Sequence, residues 1–243
     1  MRFLSLGDRA FTVEFATGFD DRARVAVTRL DAAIAAAREA GDLQGVVDVA
    51  PTFRSLTVHY DPVQTTRAVL EPVVAALVNS ETGTEKSPGA LWRLPVHYND
   101  AHGPDLAALA ESAGLSVAET VALHSATEVT VHMLGFLPGF AFMGDIAPVL
   151  RRPRLREPRV RVPAGSVAVA DRLTAVYPWE SPGGWHLIGH CPVPLFDRTR
   201  PKPSLLAPGD RVQFTPVSAA DHDAEARALA AGERDVASYR SAP

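Results

Sequence analysis

Residues 124–192 constrain this chain more than any other stretch. Short runs rich in valine, threonine and aromatics alternate there with Pro138-Gly139, Ala164-Gly165-Ser166 and Pro182-Gly183-Gly184. β-branched and aromatic residues favour pleated, half-buried strands, and the small-residue turns interrupt them at short intervals. This punctuation predicts a small, tightly turned β-barrel. The same turns carry backbone N–H groups, arginines, histidines and carboxylates toward one surface. The chemistry is therefore expected here, with the other segments as scaffold.

Upstream the pattern is different. Residues 2–6 and 10–15 are short alternating runs around Gly7-Asp8, as in a hairpin. Asp20 and Asp21 precede a helical stretch in which Val27, Leu30, Ile34 and Ala37 share a face, with Gly41 placed to end it. Strand-type runs follow at 46–50 and 54–60, then a second amphipathic helix with Val69, Val73, Val74 and Leu77 inward. Strand–helix–strand–strand–helix implies a small α+β unit with helices on one face of an antiparallel sheet. The stretch 80–89 lacks large apolar residues and separates this unit from a strand at 91–98. Ser116 with Glu119 forms a capping box for a helix reaching about His124. The expected organisation is an α+β domain over 1–85, a linker at 86–90, a mainly antiparallel barrel over 91–220 and an Ala-rich polar tail, 221–243, read as a terminal helix that ends frayed.

The totals exclude several classes. A net charge of −4 over 243 residues argues against a general nucleic-acid binder. The single cysteine, Cys191, forbids an intrachain disulfide and suits a reducing compartment. No apolar run is long enough to span a membrane, and the N-terminus lacks a signal-type apolar core, so a cytoplasmic protein is expected. Lysine occurs only at Lys86 and Lys202, neither after a glycine, so no Gly-Lys-Ser/Thr phosphate loop exists.

His124, Glu128 and His132 are spaced by four, which on one helix would gather them on one face and suggest a metal. The β-branched run Thr127 to Val131 instead predicts a helix ending near His124 and a strand beginning, so no metal site is assigned. On that strand, Glu128 and His132 read either as a solvated face or as general acid–base candidates, with His124 at its mouth. Six arginines crowd residues 151–161. Arg151 to Arg156 fit a solvated arm, whereas Arg159 and Arg161 adjoin a turn and suit two-point contacts with carboxylate or phosphate. The turns containing Gly165-Ser166 and Ser181-Pro182-Gly183-Gly184-Trp185 can aim N–H groups at an anion, and Glu180 beside the second can serve as acid or base. Cys191 is read as a packed cysteine.

The runs HSATEVTVHMLGFLPGFAFMGD, RVRVPAGSVAVA, YPWESPGGWHLIG and LFD, with GDRAFTVEF and VVDVAPTFRSLTVHYDP upstream, closely resemble the B subunit of bacterial ATP-dependent 5-oxoprolinase. That family is also called KipI or allophanate hydrolase subunit 1, and the resemblance covers roughly residues 5–217. It implies an α+β N-terminal domain followed by a cyclophilin-like β-barrel. It further implies action with a C subunit and an A subunit to open 5-oxo-L-proline to L-glutamate at the expense of ATP. Magnesium would accompany the ATP, with the nucleotide held here or on a partner. Two other readings come with the resemblance: half of a biotin-dependent carboxyltransferase, as in urea amidolyase, or an inhibitor of a histidine kinase. Neither lysine has a methionine neighbour, so biotin is not expected on this chain.

Overall fold

The computed structural model describes residues 1–79 and 89–241, with the side chain of Asp21 excepted. The expected linker at 86–90 falls largely outside the described residues. The chain divides into two units, Met1–Ser87 and Pro88–Pro243.

The first unit opens with β1 (Arg2–Leu6) and β2 (Ala10–Glu14), paired antiparallel. Helix α1 (Asp21–Ala40) starts where the Asp20 carboxylate accepts the N–H groups of Arg22 and Ala23. It stops at Gly41, whose φ of 86° places it in the left-handed region that glycine tolerates. Strands β3 (Val46–Pro51) and β4 (Ser55–Tyr60) complete a four-stranded antiparallel sheet in the order β1-β2-β4-β3. Val27, Leu30 and Ile34 of α1 are buried in one core with Phe11, Val13, Leu56 and Val58. In α2 (Arg67–Asn79) the buried positions are Leu70 and Val74, whereas Val69, expected to point inward, is 61% exposed. A helical turn of 3.6 residues centred on Leu70 and Val74 leaves Val69 one position, about 100°, off that stripe.

The second unit contains β5 (Leu91–Val96), helices α3 (Leu106–Ala113) and α4 (Val117–Ala126), and then β6 (Val129–Leu134) and β7 (Ala141–Gly144). Next come β8 (Arg159–Val162), β9 (Ser166–Ala170), β10 (Leu173–Val176), β11 (Ser181–Gly183) and β12 (His186–His190). Strand β13 (Arg211–Pro216) and helix α5 (Ala219–Ala230) follow. Seven strands form one sheet in the order β12-β9-β10-β7-β6-β13-β5, antiparallel except where β13 runs parallel to β5. The sheet curls until its two ends meet. His97, just past β5, and His190, ending β12, exchange two backbone hydrogen bonds of 2.9 Å each. The result is a nearly closed barrel filled by side chains such as Leu94, Val131, Met143, Val167, Ile188 and Phe214.

Closure needs small residues at the seam. A Cβ on Gly103 would lie 2.3 Å from the Ile188 carbonyl carbon, and one on Gly189 would lie 2.8 Å from the His97 carbonyl oxygen. As far as Ser241 the tail does not fray as expected. After α5 the chain turns back, Ser241 N–H donates to Leu91 C=O at 2.8 Å, and Val236 and Tyr239 pack on the barrel core. No single helix among the described residues is long and apolar enough to cross a membrane.

Asp210 fastens the barrel's entry to its exit. Its buried carboxylate accepts Ala90 N–H at 2.9 Å, Trp92 Nε1–H at 3.0 Å and Ala207 N–H at 3.0 Å. Removing one acceptor oxygen leaves buried donors unpaired, so Asp210→Asn is expected to cost about 2 kcal/mol of unfolding free energy. Urea denaturation measures it; an unchanged midpoint would contradict this role.

Candidate functional site

The structure gathers most of the arginine and turn candidates. Strand β8 pairs antiparallel with β11, with Val162 opposite Ser181 and Arg159 opposite Gly183, in a two-stranded ribbon. This brings Arg159, Arg161, Glu180, Ser181, Gly183, Gly184 and Trp185 together. Arg161 Nε pairs with Glu180 at 2.7 Å, and both side chains are more than half exposed. An exposed pair of this kind is worth little on its own, so it can be exchanged for another partner at low cost. Arg159 is held more firmly. Its guanidinium donates to Asp105 at 2.7 Å, and Asp105 also accepts Leu187 N–H at 2.6 Å. Gly183 permits close approach of Tyr177, whose hydroxyl would stand 2.3 Å from any added Cβ. Trp185 is buried, meets Phe140 edge-to-face at 5.8 Å, and carries the Arg154 guanidinium 5.8 Å over its ring. The Ser181 Oγ is buried and makes no hydrogen bond among the described residues.

Three N–H groups of the two turns are spent internally. Gly165 N–H donates to Tyr177 C=O at 2.7 Å and Ser166 N–H to Pro163 C=O at 3.3 Å. The Trp185 N–H is engaged by the Tyr177 hydroxyl. An anion would have to displace these contacts.

His124, Glu128 and His132 do not converge. His124 ends α4 in the core. Thr174 donates its hydroxyl to Ala168 C=O, so it accepts from His124 Nε2–H at 3.0 Å, while the Tyr98 hydroxyl donates to His124 Nδ1 at 2.8 Å. The ring stacks on Phe214 at 4.8 Å and 13°. With both nitrogens engaged and the residue buried, its duty is packing rather than proton transfer. Glu128 lies between helix and strand and pairs with Arg211 at 3.1 Å. His132 lies on β6 opposite the buried face formed by Val129 and Val131, beside Gly144. Its charge helps lower the neighbouring Asp145 carboxyl, which Arg172 lowers most.

A different set of histidines does converge. His97, His102, His190 and His222 gather around the barrel seam in tilted and edge-to-face contacts, with ring centroids 4.9–6.1 Å apart. They come from the end of β5, the loop before α3, the end of β12 and the first turn of α5. The Gly165 turn lies against this cluster. Gly165 has φ of 80°, and a Cβ there would lie 2.3 Å from His190 Nε2. Burial pushes His190 down to about 4, reinforced by the other rings, and burial also lowers His102. These positions span more than a hundred residues and form no local motif, so their meeting is a product of barrel closure.

A family model for the carboxyltransferase domain, subdomains C and D, matches residues 1–206. The chain belongs to that family. Within it, the chain is 41% identical over 176 residues to the 5-oxoprolinase B subunit of Escherichia coli O157:H7, covering 72% of this chain and 80% of the relative. It is 34% identical over 229 residues to that of Bacillus subtilis strain 168, covering 90% and 94%. Among solved structures it is similar to TTHA0988, at 37% identity and a TM-score of 0.74 over 86% of this chain. This chain spans 40% of that protein's length. The Kluyveromyces lactis urea carboxylase shares the fold at a TM-score of 0.74 and 18% identity, over 93% of this chain and 22% of the enzyme.

Burial pushes His124 down to about 3, below the 6.5 of an exposed imidazole. Its folded-state affinity for protons is depressed, so the neutral ring's contribution is complete above pH 6.5 and is lost as pH falls toward 3. Between pH 6.5 and 5 the loss from this group is about 2 kcal/mol. Urea midpoints at those two values measure it, and the drop should be smaller in His124→Asn. An equal drop in both proteins would show that His124 is not its source.

Proposed function

We propose that this chain is the B subunit of an ATP-dependent 5-oxoprolinase and acts only together with A and C subunits. The observation that carries this reading is the match, at 41% and 34% identity, to proteins named as 5-oxoprolinase B subunits over 80% and 94% of their lengths. We further take the barrel to be of the cyclophilin-like kind and the complex to work in the cytoplasm.

A five-membered lactam is a resonance-stabilised amide, and its opening by water requires activation of the carbonyl. Transfer of the ATP γ-phosphoryl to the lactam oxygen makes a good leaving group. A first water adds at that carbon and the ring C–N bond breaks as the nitrogen takes up a proton, leaving an acyl phosphate; a second water displaces the phosphate and glutamate remains. The residues here fit the ATP poorly. No Gly-Lys-Ser/Thr loop exists, and the Gly165 and Ser166 N–H groups are already spent. This supports a nucleotide site on a partner subunit, and no step is routed through ATP on this chain. What this chain offers is the exposed Arg161–Glu180 pair and the anchored Arg159, beside the buried Ser181. Arg159 and Arg161 suit the substrate carboxylate, and Glu180, released from Arg161, suits a proton-accepting role toward water.

The carboxyltransferase reading is favoured by the name of the matching family model and by the fold shared with urea carboxylase. At 18% identity that likeness concerns the fold alone.

Glutamate release from 5-oxo-L-proline separates the two. The chain mixed with A and C subunits and ATP is expected to release glutamate, and omission of this chain to abolish it. Arg159→Ala should reduce turnover of the assembled complex at least about tenfold, the order expected for a lost charged contact to substrate. Release undiminished without this chain would refute the proposal. Carboxyl transfer from carboxybiotin, with no glutamate release, would establish the other reading.

A further inference from the structure

Phe136, in the turn between β6 and β7, is an aromatic residue held where neither its backbone nor its ring gains. Its φ of 68° lies in the left-handed region, and its side chain is 62% exposed. A bulky residue is disfavoured in that region, and an exposed ring forgoes burial. The turn is nevertheless firmly built. Gly135 N–H donates to Phe140 C=O at 3.1 Å and Phe140 N–H to Leu137 C=O at 3.0 Å. The Phe136 ring meets the buried Phe140 edge-to-face at 5.4 Å. Strain fixed in place at an exposed aromatic marks a contact site.

Trp179 stands beside this turn, 45% exposed, with its Nε1–H donating to Pro138 C=O at 3.0 Å. That bond satisfies the indole's polar atom and leaves the rings for apolar contact. Phe196 backs Trp179 at 5.9 Å. It also lies against the Pro138-Gly139 turn, where a Cβ on Gly139 would be 2.6 Å from the Phe196 Cβ. The three rings therefore stand on segments fastened to one another.

The border of this aromatic shelf is cationic. Phe196 and Ser204 pair across a hairpin that exposes Arg198 and Lys202, and neither makes an ion pair among the described residues. Asp197 is engaged by the N–H and hydroxyl of Thr199, and Glu180, adjoining Trp179, by Arg161. Rings this exposed line a surface rather than enclose a small molecule, which needs most of its area covered. Tryptophan, phenylalanine and arginine are the residues enriched where proteins meet. TTHA0988, of which this chain spans 40%, carries such a unit joined to further protein.

We propose that Phe136, Trp179 and Phe196, flanked by Arg198 and Lys202, form the docking surface for a companion subunit, the one that supplies what TTHA0988 holds beyond this unit. The cationic border calls for an apolar patch with an acidic rim on that partner. The inference rests on the reading of this chain as one subunit of a complex. It puts the partner beside Arg161 and Glu180, the half-site that a second subunit would complete.

The A and C subunits are offered singly to the immobilised full chain, and the one whose sequence aligns with the rest of TTHA0988 is expected to bind. Phe136→Gly should weaken that binding at least about tenfold. It should leave the fold intact, because glycine adopts a φ of 68° freely. Trp179→Ala should weaken binding by a similar factor. Arg198→Glu combined with Lys202→Glu should also weaken it and flatten its dependence on salt. Val69→Ala, at an exposed valine of the first unit, should change nothing. Circular dichroism checks that each variant is folded. Binding indifferent to both aromatic variants, binding undiminished by the charge reversal, or no binding by that subunit overturns the proposal. Binding as predicted in a complex that releases no glutamate would refute the oxoprolinase reading and leave the docking surface standing.

Discussion

The second unit depends on two backbone hydrogen bonds, those exchanged by His97 and His190. Without them the seven-stranded sheet would end in two open edges, β5 and β12, each with a row of unpaired N–H and C=O groups. The bridge joins the two edges at one point, and elsewhere they meet other segments: Ser241 N–H donates to Leu91 C=O of β5 and Asp105 N–H to Leu187 C=O of β12. The bridge is permitted sterically by Gly103 and Gly189, where even a methyl group would collide with the opposite backbone. The same closure draws four imidazoles from distant parts of the chain to one place. A structural fastening and a chemically capable cluster thus share one cause.

Polar groups elsewhere in the barrel divide into fasteners and free agents, and burial decides which is which. His124 and Asp210 lie in the core with their hydrogen-bonding capacity filled, and both tie elements together. Buried polar groups satisfied in this way fix a unique arrangement and are costly to disturb. Among the described residues, Arg161 and Glu180 pair with each other in solvent. Such a pair stores little energy and can reorganise when a substrate or partner surface arrives. The ribbon of β8 and β11 therefore presents half of a site: charges that are available, with no phosphate cradle prepared. An incomplete site is what one component of a larger assembly would carry, and it agrees with relatives that are themselves named as subunits.

Local chemistry is legible in the sequence. Asp20 and Gly41 mark the ends of α1, the Ser116–Glu119 capping box starts α4, and the Pro-Gly punctuation of 124–192 signals short strands. These depend on neighbours within a few residues. The pairing of β8 with β11 is legible in part, because both flank small-residue turns. Long-range consequences are not. Nothing near His124 distinguishes a core histidine from a catalytic one, since Thr174 and Phe214 lie far along the chain. Val69 departs from expectation because valines on adjacent positions blur the phase of a short helix. The tail's polar composition hides its return to β5. The histidine cluster leaves no trace at all, because its members are neighbours only after closure.

The seam itself is the most direct place to measure. Native-state amide hydrogen exchange at His97 and His190 reports on the two closing bonds alone. A closed barrel predicts protection comparable with amides inside β9. Exchange at the rate of the exposed loop around Thr199 would mean that the sheet stays open, and neither the barrel nor the histidine cluster would exist as described.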